Sequence, residues 1–262
     1  MADQQQQPNG RPQTGLSREG MEEIGKGQFV QYVFYKLDPA WRLLPAAEQE
    51  EGKREFLQTV EGFADRITIR SYSLIGMRAE VDFLLWNISA ELDSFQQLST
   101  AILNTAFGRY LRLAYSYLAV TKRSIYTRNH QHEGQEGNRL TLHPRGAKYF
   151  FVYPFVKTRP WYRLSLEERQ TMMNEHIRIG HTYPSVTLNT TYSFGMDDQE
   201  FVVAFETDEP RDFVDLVMEL RESEGSLYTL RDTPIFTCIA MPLAEVLETL
   251  GGTQVPANLP VR

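Results

Sequence analysis

The feature that most limits what this chain can fold into is an order of elements that occurs twice. From Phe29 an apolar run, FVQYVFYK, leads to a helical segment in which Phe56, Val60 and Phe63 fall on one face. ITIRSYSLI and RAEVDFLLW follow on either side of Gly76, then a helix carrying Phe95, Leu98 and Ile102, then LAYSYLAV. Ala79, Val81, Phe83 and Leu85 alternate with Arg78, Glu80 and Asp82, which predicts a hairpin with one wet face. The order returns as KYFFVYPF, a helix through the 170s, VTLNTTYSF, a turn at Gly195, EFVVAFET, a helix and IFTCIAM. In that last helix Phe213, Leu216, Val217 and Leu220 recur at i, i+3, i+4 and i+7. Two consecutive βαββαβ units predict an α+β chain of two tandem ferredoxin-like domains. Their facing sheets would form a dimeric α+β barrel with a pocket beside it.

The repeats set the domain boundaries. Residues 1–26, rich in Gln, Pro, Gly and charge, are expected to be a disordered tail, and 251–262 a second tail. The first domain spans 27–121 and the second 147–250. The polar segment 122–146, with His130, His132 and His143, connects them. A net charge of −7 with both signs dispersed argues against nucleic acid as a partner. No apolar stretch reaches the length of a membrane span and no secretory signal is evident, so a cytoplasmic setting is expected. The single cysteine, Cys238, lies in an apolar run and reads as a buried strand residue. The sequons at Asn87 and Asn189 are then chance matches.

Chemistry concentrates in two places. In MMNEHIRIGH, Met172, Met173 and Ile179 lie within a turn of His176, so its imidazole projects from an apolar face. Such a histidine is either a core residue bonded to a carbonyl or an axial ligand to a haem-type iron. His181 is five residues on, which disfavours a two-histidine zinc site. Ser165 and Glu168 mark the helix start with capping-box spacing. The second place is YPFVKTRPWY, residues 153–162. Tyr149, Phe151, Tyr153 and Phe155 share one strand face, and Pro154, which has no N–H, should end or loosen the pairing there. Either this is an aromatic strand meeting a loop, or Tyr153 faces a cavity with Lys157 and Arg159 placed to receive carboxylates.

The run KYFFVYPFVKTRPWYRLSLEERQTMMNEHIRIGHTYPSV, followed by SFGMDDQEFVVAFETDEPRDFVDLVMELR, resembles the second domain of the chlorite dismutase superfamily, especially its coprohaem decarboxylase branch. The resemblance implies that His176 is the proximal iron ligand. It also implies that Tyr153 forms the radical that takes hydrogen from a propionate. Lys157 would lie near a reactive propionate with Trp161 beside it, and Arg139 and Ser226 would anchor propionates. It further implies peroxide-dependent conversion of two coprohaem propionates to vinyl groups, giving haem b, in a homopentamer. The porphyrin would be substrate and redox cofactor at once, and transient contact with the coproporphyrin ferrochelatase is implied as well.

Departures from the family pattern matter too. Chlorite-splitting members carry an arginine above the iron on the strand after the proximal histidine. Here that strand, VTLNTTYSF, has no basic residue and no glutamine, with Thr187, Leu188 and Asn189 nearest. His130 or His132 of the connection is the alternative on the distal side. Three competing readings remain: a chlorite dismutase or weak haem peroxidase, a haem-binding or delivery protein without chemistry, and a barrel used only for assembly.

Overall fold

The computed structural model describes residues 27–126 and 140–251. The first repeat runs β1 (Phe29–Leu37), a 3-10 turn (Pro39–Leu43), α1 (Ala46–Glu61), β2 (Thr68–Ser73), β3 (Phe83–Ser89), α2 (Asp93–Asn104) and β4 (Leu111–Val120). The second runs β5 (Tyr149–Lys157), a 3-10 turn (Arg159–Arg163), α3 (Leu166–His181), β6 (Thr187–Tyr192), β7 (Phe201–Thr207), α4 (Pro210–Glu222), β8 (Thr229–Arg231) and β9 (Phe236–Ala240). A further helix, α5 (Leu243–Thr249), follows. The fold is the expected α+β architecture of two ferredoxin-like units.

The strands run in the order β7-β6-β4-β1-β3-β2-β9-β5-β8, and β5 also pairs with β7, so the sheet closes on itself. Closure leaves few strand edges open. The seams between the halves are short: Val120 opposite Tyr192, and Tyr72 and Ser73 opposite Ala240 and Ile239. The shared interior holds the halves together. Tyr32, Trp86, Phe150 and Tyr72 stack there, and Phe34 of the first repeat meets Phe236 of the second at 4.1 Å. Each repeat thus supplies the apolar face that the other must cover.

One expectation changes and another narrows. The wet face predicted for the hairpin is missing from β3, which is buried along its whole length, and is confined to Thr68 and Arg70 of β2. One side of β3 faces the barrel interior, and the other carries Phe83 and Leu85 into the layer beneath α1 and α2. The alternation over 78–82 is not strand, and Asp82 is buried because it accepts from the Lys36 ammonium at 2.7 Å and the Leu37 amide at 2.8 Å. At Pro154 the second of the two expected outcomes holds, and pairing loosens rather than ends. On the β7 side it continues through Pro154 opposite Val202 and Phe155 opposite Phe201. On the other side it lapses between Val152 and Val156, where proline offers no donor.

The repeats superpose in sequence register over their first three elements. β1 and β5, the two 3-10 turns and α1 and α3 have matching lengths, 120 residues apart, as Phe29 is from Tyr149 and Ala46 from Leu166. The turns are closed alike: the Asp38 amide donates to Tyr110 and the Thr158 amide to Tyr228, each at 2.8 Å. Trp41 and Trp161 are the buried residues of these turns. Finally, α5 crosses back onto the first repeat, where Val246, Leu247 and Leu250 join its outer core.

Candidate active site

The 120-residue register shows where the second repeat departs from the first. Where α1 places Phe56, fully buried between Phe83 and Phe107, α3 places His176. Where α1 has the buried Val60, α3 has Gly180, and a β-carbon added there would meet no atom within 4 Å. The predicted capping box fixes the start of α3: the Ser165 hydroxyl accepts from the Glu168 amide, and Glu168 accepts from the Ser165 amide at 2.7 Å. From that start Met172 and Ile179 turn inward, and His176 lies between them. Its imidazole keeps some solvent-facing surface, although protein atoms crowd it. Burial, and then the nearby Lys157 ammonium, bring it down to about 4. The ring is therefore neutral near pH 7, the form that coordinates a metal.

Lys157, the last residue of β5, stands near enough for its charge to act on His176. Its ammonium donates to the Gly225 carbonyl at 2.9 Å and lies 4.5 Å from the Trp161 ring centroid. Burial lowers it to about 8, against an opposing pull from Glu200. Gly225 and Ser226 belong to one 3-10 turn (Glu224–Tyr228), so the lysine and the serine meet at this edge. The Ser226 hydroxyl donates to the Arg221 carbonyl at 2.7 Å. Tyr153 is on the same face of β5, four residues back and roughly 13 Å along the strand. It is buried among Phe151, Ile179, Phe205, Phe213 and Leu216 and stacks on Phe205 at 6.0 Å. Burial, and then Asp232, raise its phenol well above the usual tyrosine range, so it holds its proton; Asp232 is itself ion-paired with Arg221.

The structure thus brings Tyr153, Lys157, Trp161, His176 and Ser226 to one outer face of the barrel. Arg139, His130 and His132 lie outside the described residues. Of the distal-strand candidates, Asn189 is excluded: it points into the barrel and donates to the buried Glu206 at 3.0 Å. Leu188 faces the helices with the aromatic cluster. Sequence reasoning passed over Glu200, a buried carboxylate that accepts from the Lys157 amide at 2.8 Å and the Tyr162 phenol at 2.5 Å. Glu200 precedes the strand of its repeat as Asp82 precedes FLLW in the first, and neither position is marked as buried by the sequence around it.

Among the described residues no group of three His, Cys, Asp or Glu could hold a metal ion. His176 offers a single ligand, so an ion bound there would take its other ligands from a ring. The donor set fits an iron porphyrin: one neutral imidazole, aromatic and aliphatic walls, and a cation and a hydroxyl at one edge.

Fold and site together define a two-repeat α+β barrel whose second repeat presents a neutral histidine on a helix packed against an aromatic cluster. The chain belongs to the chlorite dismutase family, whose sequence model, described as Chlorite dismutase, matches residues 49–241. It is 32% identical over 167 residues to the coproheme decarboxylase of Mycolicibacterium smegmatis, covering 63% of this chain and 70% of that one. A Halobacterium salinarum relative, described provisionally as a heme-binding protein, is 30% identical over 253 residues. That match covers 88% of this chain, which spans about half (51%) of the relative's length. A mutant chlorite dismutase from Candidatus Nitrospira defluvii superposes with a TM-score of 0.79 at 26% identity, covering 87% of this chain and 97% of the other.

Proposed function

We propose that the chain is a coprohaem decarboxylase that uses hydrogen peroxide to convert two propionates of iron coproporphyrin to vinyl groups, giving haem b. The observation that carries this reading is the pairing of a neutral His176 with Lys157 beside it, on a strand whose same face carries Tyr153. Bound at His176, the iron of the substrate supplies the redox centre at which peroxide is consumed.

The chain's own residues divide the remaining work. His176 holds the iron through a nitrogen that carries no proton at neutral pH. Lys157, mostly an ammonium at pH 7, draws a carboxylate to the Trp161 edge, Arg139 adds donors for others, and Ser226 adds one once its hydroxyl turns from the Arg221 carbonyl. Tyr153 gives up its phenolic hydrogen and takes one from the propionate β-carbon. Carbon dioxide then leaves, a second electron is withdrawn and a vinyl group remains. For each side chain a propionic acid and one hydrogen peroxide give a vinyl group, carbon dioxide and two waters. Position dominates the rate, since the phenol must reach the carbon it attacks.

The same reading includes a homopentamer, a cytoplasmic setting and transient contact with the ferrochelatase that supplies the substrate. Iron coproporphyrin and peroxide given to purified protein should yield products lighter by one and then two formic-acid equivalents (carbon dioxide plus two hydrogens each) by mass spectrometry. Tight porphyrin binding with no mass loss would overturn the decarboxylase and favour a haem carrier. Oxygen release from chlorite would favour a chlorite dismutase, against which stands the absence of a basic residue on β6.

A further inference from the structure

We propose that Glu200 is the positioning residue for Lys157: one buried carboxylate ties the Lys157 amide to the Tyr162 phenol and so fixes where the lysine ammonium stands. The inference rests on the decarboxylase reading for its catalytic consequence but not for its geometry.

The internal repeat separates what is structural from what is new. In the first repeat Asp82 accepts from the Leu37 amide at 2.8 Å, and in the second Glu200 accepts from the Lys157 amide at 2.8 Å. The backbone around both is alike: Asp82 donates to the Tyr35 carbonyl and Glu200 to that of Phe155. A carboxylate clamping the end of the first strand is thus a frame element of both halves. Its second bond differs. Asp82 turns to Lys36, one residue before the clamped amide, and stays on the strand. Glu200 is one methylene longer and reaches across the 3-10 turn to the Tyr162 phenol at 2.5 Å. Burial, and then the bond to Glu200, raise the Tyr162 phenol, so it remains the donor. Arg159, 3.8 Å from the other carboxylate oxygen, is almost fully exposed and adds little.

The consequence falls on the residues between the two tied points. Lys157 and Tyr162 bracket Trp161, whose ring lies against the Lys157 ammonium, while the Gly225 carbonyl fixes that ammonium from the opposite loop. With the strand end and the turn bound to one carboxylate, the lysine stem has a fixed origin and the indole a fixed plane. Without the tie to Tyr162, only the strand end is held, as in the first repeat.

Two variants loosen this tie from either side. Glu200→Asp keeps the charge but draws back by one methylene the single oxygen, Oε2, that both donors share, and Tyr162→Phe removes one of those donors. The readout is lysine-selective reductive methylation of the porphyrin-free protein, followed peptide by peptide by mass. In both variants Lys157 should react about five- to tenfold faster than in the parent, with Lys36 and Lys148 unchanged as internal references. Unchanged Lys157 reactivity in both variants overturns the proposal. If Lys157 loosens but the parent protein does not decarboxylate, the positioning role stands and the decarboxylase reading falls. In an active protein, kcat should drop about tenfold while coprohaem affinity changes less than about threefold. Equal turnover by parent and variants would overturn the catalytic consequence.

Discussion

The two repeats share a frame and use it oppositely. Among the described residues the layer beneath the first repeat's helices holds seventeen buried residues, three of them, Val246, Leu247 and Leu250, brought by the end of the chain. The second has six: Phe151, Tyr153, Ile179, Phe205, Phe213 and Leu216. Position by position the exchange is Val33 for Tyr153, Leu37 for Lys157, Phe56 for His176 and Val60 for Gly180. Each of these four exchanges replaces an apolar side chain with a titratable one or with none. One half therefore supplies much of the stability, and the other can hold groups that a packed core would reject. A pocket built this way needs no new backbone.

Returning second-repeat residues to phenylalanine or to their first-repeat counterparts tests the comparison. The largest effect should come from Tyr153→Phe: turnover should fall about a thousandfold, ~4 kcal/mol of barrier, with the bound-porphyrin spectrum nearly unchanged. Survival of activity would remove the radical role. His176→Phe, which installs the Phe56 side chain, should abolish the histidine-ligated absorption spectrum. It should also raise the melting temperature of the porphyrin-free protein by a few degrees, and a spectrum like the parent's would show that another residue holds the iron.

The third effect is a pH dependence. In the folded chain His176 titrates near 4, against about 6.5 when unfolded. Between these values the unfolded chain binds the proton and the folded chain does not. Stability of the porphyrin-free protein should be fully present above about pH 6.5 and decline toward pH 4. The loss should be about 1–2 kcal/mol after discounting for the solvent the ring still meets. Denaturant titrations across that range should show a slope that His176→Phe removes. Smallest is Gly180→Val, the Val60 residue: the porphyrin-free protein should gain about 0.3–0.5 kcal/mol from helix propensity, while porphyrin affinity falls. Unchanged affinity would place the ring away from Gly180.

The repeat order, the faces of the helices and the capping box at Ser165 were legible in the sequence because each is local and periodic. So was the aromatic face of β5. What lay hidden was long-range. The seams that join the two repeats into one barrel pair Val120 with Tyr192 and Tyr72 with Ala240, residues far apart in the chain, and no local pattern encodes them. The correspondence of Phe56 with His176 was invisible because the two residues share a place but no chemistry. Asp82 and Glu200 both read as solvated charges at strand starts, and only the amides they meet reveal them as buried clamps. The alternation at 78–82 misled for the same reason, since a buried, paired aspartate looks from sequence like a wet one.

The last helix bears on how the chain comes to be folded at all. Val246 and Leu247 are almost fully enclosed in the outer core of the first repeat; the Leu250 carbonyl accepts from Arg42 at 3.2 Å, and Glu248 pairs with Lys53 at 3.6 Å. During synthesis the first repeat leaves the ribosome long before these residues do. The first half made is therefore the last to be completed, and until residue 250 emerges it must wait with one wall of its core open.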